Sequence, residues 1–249
     1  MAPSLLPRAE MRNVVVVLAA LAMPASIHAQ TPGTTAVPIA PVETGMKPAQ
    51  KALLVGSFLI AANMLDDEVR SSVQSWRNPV SNSFARVGNT FGTGQLVFPA
   101  LLTTFIASSA LGSEGVRRAS GHALVAAATA GLAATALKFT IGRERPNSGF
   151  DSDHFDNFDF KDSSFPSGHT AIAFSVASSL SRDIKGRWDD VALYGAASLT
   201  GLARMNDNKH WLSDVVGGAA VGIFAGKWAT RGNRKIAASP SGVSMSFQF

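Results

Sequence analysis

From Lys51 onward the chain is a succession of apolar runs rich in alanine and glycine, separated by polar joints. The runs are Lys51–Leu65, Gln95–Gly112, Gly121–Lys138, Thr170–Ser181, Val191–Ala203 and Val215–Trp228. Most lack the strict alternation and β-branched enrichment of strands, and their length favours helix. Several are apolar nearly all the way round. That suits either membrane spans or the buried helices of a tight bundle. All fall short of the roughly 20 residues of a clean span. The expected architecture is all-α, a six-helix bundle forming one domain over residues 51–230, without internal repeats.

The ends read differently. Arg8 and Arg12 precede an apolar stretch, Val14–Met23, and Ala29 offers a small residue before a cleavage point, so residues 1–29 read as a signal peptide. Residues 30–50 are rich in proline and glycine and read as a flexible linker. Residues 231–249 form a basic tail whose closing alternation, Val243 to Phe249, fits an edge strand or a frayed end.

Two longer joints matter. Asp66–Asn89 reads as a polar connection. Gly142–Phe165 mixes Asp151, Asp153, Asp156, Asp159 and Asp162 with Phe150, Phe155, Phe158 and Phe160; the preferred reading is a mobile cap whose rings touch an acyl chain or headgroup, with a plain solvated loop and a calcium-binding loop as the alternatives. Net charge is +5, from 22 Lys and Arg against 17 Asp and Glu. The cations fall in short clusters between apolar runs, not in the stripe or tail of a nucleic-acid binder. Cysteine is absent, which excludes a disulfide framework, a thiolate metal site and a cysteine nucleophile.

Three clusters carry candidate chemistry, each at a helix end. Lys138-x6-Arg145-Pro146 leaves the third run. Ser164-Phe-Pro-Ser-Gly-His169 opens the fourth. Arg204-x5-His210-x3-Asp214 joins the fifth to the sixth. In an antiparallel series these ends share one end of the bundle. Three cations would suit a phosphate dianion and its transition state. Ser167 can cap the fourth helix, and Gly168 lets backbone N–H groups approach an anion. His210 and Asp214, four apart, are expected on one helix face, with Asp214 taking the proton of one ring nitrogen and leaving the other free to attack phosphorus. His169, from another helix, can protonate the departing oxygen. Taken singly, each cluster has a plainer reading as a surface pair, a stop signal or a cap. A zinc site of two histidines and an aspartate is opposed by the three cations.

These three motifs, in this order and spacing, resemble the signature of the type 2 phosphatidic acid phosphatase and vanadium haloperoxidase superfamily over about residues 51–230. The resemblance implies a helical bundle and a phosphatase that needs no metal or other cofactor and works through a phosphohistidine. His210 would be the nucleophile, Asp214 its partner and His169 the acid. Lys138, Arg145, Ser167, Gly168 and Arg204 would bind the phosphate. The family's third motif usually has Ser before its Arg, where this chain has Ala203. Implied substrates are lipid or isoprenyl phosphates. A soluble periplasmic acid phosphatase and a vanadate-dependent haloperoxidase are the alternatives.

Two residues outside the motifs have simpler expectations: Arg143 as a solvated charge, and His122 as structural, on the end away from the site. That far end collects Arg117, Arg118, Arg182, Lys185, Arg187, Arg231, Arg234 and Lys235, so the site should face outward from a membrane into the periplasm. A cleaved signal followed by six full spans would place the site on the opposite side, and the two expectations conflict.

Overall fold

The computed structural model describes residues 46–156, 163–184 and 187–231, and two strands near the C-terminus. Among these residues are eight helices: α1 (Pro48–Met64), α2 (Asp66–Ser75), α3 (Pro79–Thr90), α4 (Gly94–Ala110), α5 (Glu114–Ile141), α6 (Gly168–Ile184), α7 (Arg187–Asn206) and α8 (Leu212–Ala229). An antiparallel hairpin follows, β1 (Lys235–Ser239) paired with β2 (Gly242–Ser246). The stretch read as a signal peptide lies outside the described residues. So does the part of the acidic loop carrying Phe158, Asp159, Phe160 and Asp162.

All six apolar runs are helical, but the helix count of six is too low. The joint read as a polar connection is two further helices, α2 and α3. Both are amphipathic and bury only small or single residues, Asp66 and Val69 on α2 and Ala85 and Gly88 on α3, so no apolar run betrays them. The start of α3 is nevertheless encoded locally. Asn78 accepts from the N–H groups of Val80 and Ser81 at 2.8 and 3.0 Å, Ser81 Oγ accepts from the Asn78 N–H, and Pro79 takes the first helical position. The linker is also shorter than expected at its end, because α1 begins at Pro48.

The centre of the bundle is the close pairing of α6 with α8. Gly218, Gly222 and Gly226 line one face of α8. A Cβ at these positions would stand 2.4 Å from the Ser167 carbonyl oxygen, 2.4 Å from that of Ala171 and 2.7 Å from that of Ser175. Only glycine allows the two backbones this near. Against the pair α5 sets its own small face, Ala123, Ala126, Ala127, Ala130 and Ala134, all buried at helical spacing.

The outer surface is apolar. Leu53, Ile60, Phe84, Ile106, Leu132 and Phe224 are exposed. By length and composition α5 can cross a membrane, and only 22% of its apolar window is buried inside the protein. Helices α3 and α4 pass the same test together, bent by 44° at their joint.

The C-terminal ends of α5 and α7 and the N-terminal ends of α6 and α8 meet at one end, as the antiparallel topology requires. Helix α5 stops there at Gly142, whose φ of 61° is left-handed and whose N–H returns to the Lys138 carbonyl at 3.0 Å. At the opposite end His122 pairs with Asp183 at 2.9 Å, in line with its structural reading.

Candidate active site

Each element delivers its side chain through a local device. Lys138, on the last turn of α5, points its ammonium at the carbonyls of Ser163 and Ser164, at 2.6 and 2.9 Å. Two of its three donors thus tie the segment ahead of α6 to α5. Arg145 heads a turn in which its own carbonyl accepts from the Ser148 N–H and hydroxyl. Beside it, the Glu144 carbonyl takes the Trp211 indole N–H at 2.9 Å and the Ser164 hydroxyl at 3.0 Å. The three motifs are therefore stitched together through one peptide.

Ser167 is fully buried just before α6, where its Oγ accepts from the Thr170 hydroxyl at 2.9 Å and stands 3.5 Å from the Thr170 N–H. An added Cβ on Gly168 would meet nothing within 4 Å, so open space adjoins the first turn of α6. The same turn is backed by Gly92, where a Cβ would stand 2.5 Å from the His169 carbonyl oxygen and 2.6 Å from Thr200.

Arg204 ends α7. Its Nη1 donates to Asn89 Oδ1 at 3.0 Å and lies 3.5 Å from Asp207. Its Nε is buried without a hydrogen-bond partner among the described residues. The charges of Arg204, Arg145 and Lys138 all bear on the His169 ring, and those of Lys138 and Arg204 on His210. A buried donor and three converging cations make a setting for an anion.

His210 is 4% exposed. It precedes α8 instead of lying on a helix face, so the expected face-sharing pair is instead closed across the helix N-terminus. Asp214, fully buried on the first turn, accepts from the Trp211 N–H at 2.9 Å, and the same Oδ2 lies 3.4 Å from His210 Nδ1. That separation exceeds a normal hydrogen bond, and His210 Nδ1 has no closer partner among the described residues. Burial pushes the His210 imidazole down to about 3, against the pull of Asp214, so the ring is neutral at neutral pH.

The expectation for Arg143 is overturned. It is 2% exposed, not solvated. Its guanidinium bonds Asp66 at 2.7 Å, Asp214 at 3.0 Å, the Ser213 hydroxyl at 2.5 Å and the Ser152 carbonyl, and stacks near Trp211 and Phe155. Asp66, Asn89, Gly92 and Ser213 escape sequence reasoning altogether, since none lies in a recognisable motif. The described part of the acidic loop is tied down: Glu144 N–H donates to the His154 carbonyl and Asp156 N–H to that of Gly142. Among the described residues no group of three or more His, Asp or Glu is arranged to hold a metal ion.

Comparison with known proteins points to one family. The family model described as PAP2 superfamily matches residues 119–237. A protein of Porphyromonas gingivalis named Lipid A 1-phosphatase is 33% identical over 189 residues, covering 73% of this chain. The chain spans only 39% of that relative's length. The crystal structure of Aquifex aeolicus LpxE superimposes with a TM-score of 0.53 at 25% identity, over 66% of this chain and 94% of that one.

Proposed function

Because the chain belongs to the PAP2 superfamily, we propose that it is a phosphatase of lipid phosphate monoesters acting through a phosphohistidine on His210. The observation that carries this reading is the meeting of a buried neutral histidine with three cations, one of which holds a buried N–H unpartnered among the described residues, beside open space at Gly168.

In this reading Lys138, Arg145, Arg204 and the first turn of α6 at Ser167 and Gly168 hold the phosphate. Asp214 fixes the Nδ1 proton of His210, which leaves the Nε2 lone pair to attack phosphorus. The P–N bond forms as the ester P–O bond breaks, and the leaving oxygen takes its electron pair and a proton from the imidazolium of His169, a charged form that burial and the three cations disfavour and that the bound phosphate dianion supports. Water then attacks phosphorus, giving its proton to His169. The P–N bond breaks, and inorganic phosphate and neutral His210 are released. The clamp works because positive charge is already placed where the transition state spreads negative charge.

Two observations favour a lipid substrate in a membrane. The relative bears the name Lipid A 1-phosphatase. The bundle exposes its large apolar side chains outward, and α5 is long and apolar enough to cross a bilayer. Arg117, Arg118, Arg182 and Arg231 gather at the end away from the site, so the positive-inside tendency puts His210 on the outer, periplasmic side.

The test is phosphate release from detergent-dispersed lipid phosphates in EDTA. Wild type should turn over without added metal, and His210→Ala should lose about 1,000-fold or more. Activity surviving in the variant, or complete dependence on a divalent ion, would overturn the mechanism. A soluble ester such as p-nitrophenyl phosphate matching the lipid in kcat/KM would overturn the substrate class.

A further inference from the structure

We propose that Asp66 and Arg143 are positioning residues that hold Asp214, and through it His210, in working order. The inference rests on the phosphohistidine reading and adds to it a support from α2, outside the region that matches the family model.

The two oxygens of Asp214 have separate duties. Oδ2 takes the Trp211 N–H and faces His210, while Oδ1 accepts from Arg143 Nη1 at 3.0 Å. Arg143 is itself held on its other side, with Nη2 donating to Asp66 Oδ2 at 2.7 Å and Nε to the Ser152 carbonyl at 2.8 Å. Ser213 closes the ring. Its hydroxyl accepts from Arg143 at 2.5 Å and donates to Asp66 Oδ2 at 2.6 Å, and its N–H donates to Asp66 Oδ1 at 2.8 Å. Only a rigid planar fork reaches all of these partners at once; a lysine would give one point charge.

Charge explains why both ends are needed. Arg143 alone would neutralise Asp214 and remove the negative potential that orients the His210 proton. Asp66 restores it: two carboxylates and one guanidinium leave one net negative charge facing the imidazole. All three groups are at most 2% exposed, so water cannot screen the arrangement. Loss of Asp66 should therefore alter the chemical step while leaving the phosphate clamp, built from other residues, as it was.

The experiment compares Asp66→Asn and Ser213→Ala with wild type and His210→Ala. The amide introduced by Asp66→Asn keeps an acceptor for Arg143, and Ser213→Ala removes only a hydroxyl. Orthovanadate, as a phosphate mimic, is titrated to count intact pockets, and kcat is expressed per vanadate site. The expected result is kcat per site down about tenfold or more in both variants, with KM and vanadate Kd within about twofold. Unchanged kcat per site overturns the proposal. So does a joint loss of turnover and vanadate affinity, or failure of both variants to bind vanadate, because each makes the network a scaffold of the fold. If His210→Ala stays active, the phosphohistidine reading itself fails; if it is inactive while Asp66→Asn is normal, only the linkage fails.

Discussion

The bundle carries a histidine–aspartate pair at each end. His122 and Asp183 lie 2.9 Å apart with side chains 8% and 11% exposed; His210 and Asp214 lie 3.4 Å apart at 3% and 0%. By distance alone the far pair is the better bonded. What separates them is their surroundings. His122 sits on the early turns of α5, and its carboxylate partner has Arg118 at 3.6 Å, itself exposed. His210 has Lys138 and Arg204 acting on its ring, Arg143 behind its carboxylate, and the open space of Gly168 at the same end. A pair becomes chemistry when a phosphate can be held against it and its carboxylate is held from behind.

The sharpest way to break this contrast is to truncate both histidines. His210→Ala should lose about 1,000-fold or more in kcat, while His122→Ala should stay within about twofold and show its loss in Tm. Comparable losses of turnover would mean the far pair also serves the reaction. Next in size are the carboxylates. Asp214→Asn should cost on the order of 100-fold or more in kcat, because His210 loses the group that sets its tautomer, whereas Asp183→Asn should leave kcat near wild type. Smaller again is the clamp. Arg204→Gln should weaken orthovanadate binding by about 10- to 100-fold, the worth of one charge-assisted bond, with Tm little changed. Undiminished vanadate affinity would remove Arg204 from the phosphate site.

The contrast was half visible in the sequence. Spacing and antiparallel order were enough to bring Lys138, Arg145, Ser167, Gly168, His169, Arg204, His210 and Asp214 to one end, and to put His122 at the other. Arg143 was misread because a lone arginine in a polar stretch carries no sign of its partners, and Asp66, 77 positions away, belongs to a helix that no apolar run announces. The same blindness hid α2 and α3. Their inward faces are small and polar, and they are held by contacts such as Gln74 to the Met205 carbonyl, Asn82 to Asn206 and Asn89 to Arg204. These contacts fix the loop that carries His210, yet each is a single long-range pairing with no local period to reveal it.

The smallest expected effect concerns pH. His210 has a folded-state value near 3, below the 6.5 of an unconstrained imidazole, because burial disfavours its charged form. The unfolded chain therefore binds a proton at this position before the folded one does. The stability this group contributes is present in full well above pH 6.5 and is lost as pH falls toward 3, at up to about 1.4 kcal/mol per pH unit through that window. From pH 6.5 to pH 5 the loss is about 2 kcal/mol, or roughly 5 °C in Tm for a chain of this size. Glutamine cannot take up a proton, so His210→Gln should flatten this part of the Tm–pH curve by that amount. An equal slope in wild type and variant would show that the folded ring takes up its proton at the same pH as an unconstrained imidazole, so that burial does not hold it neutral.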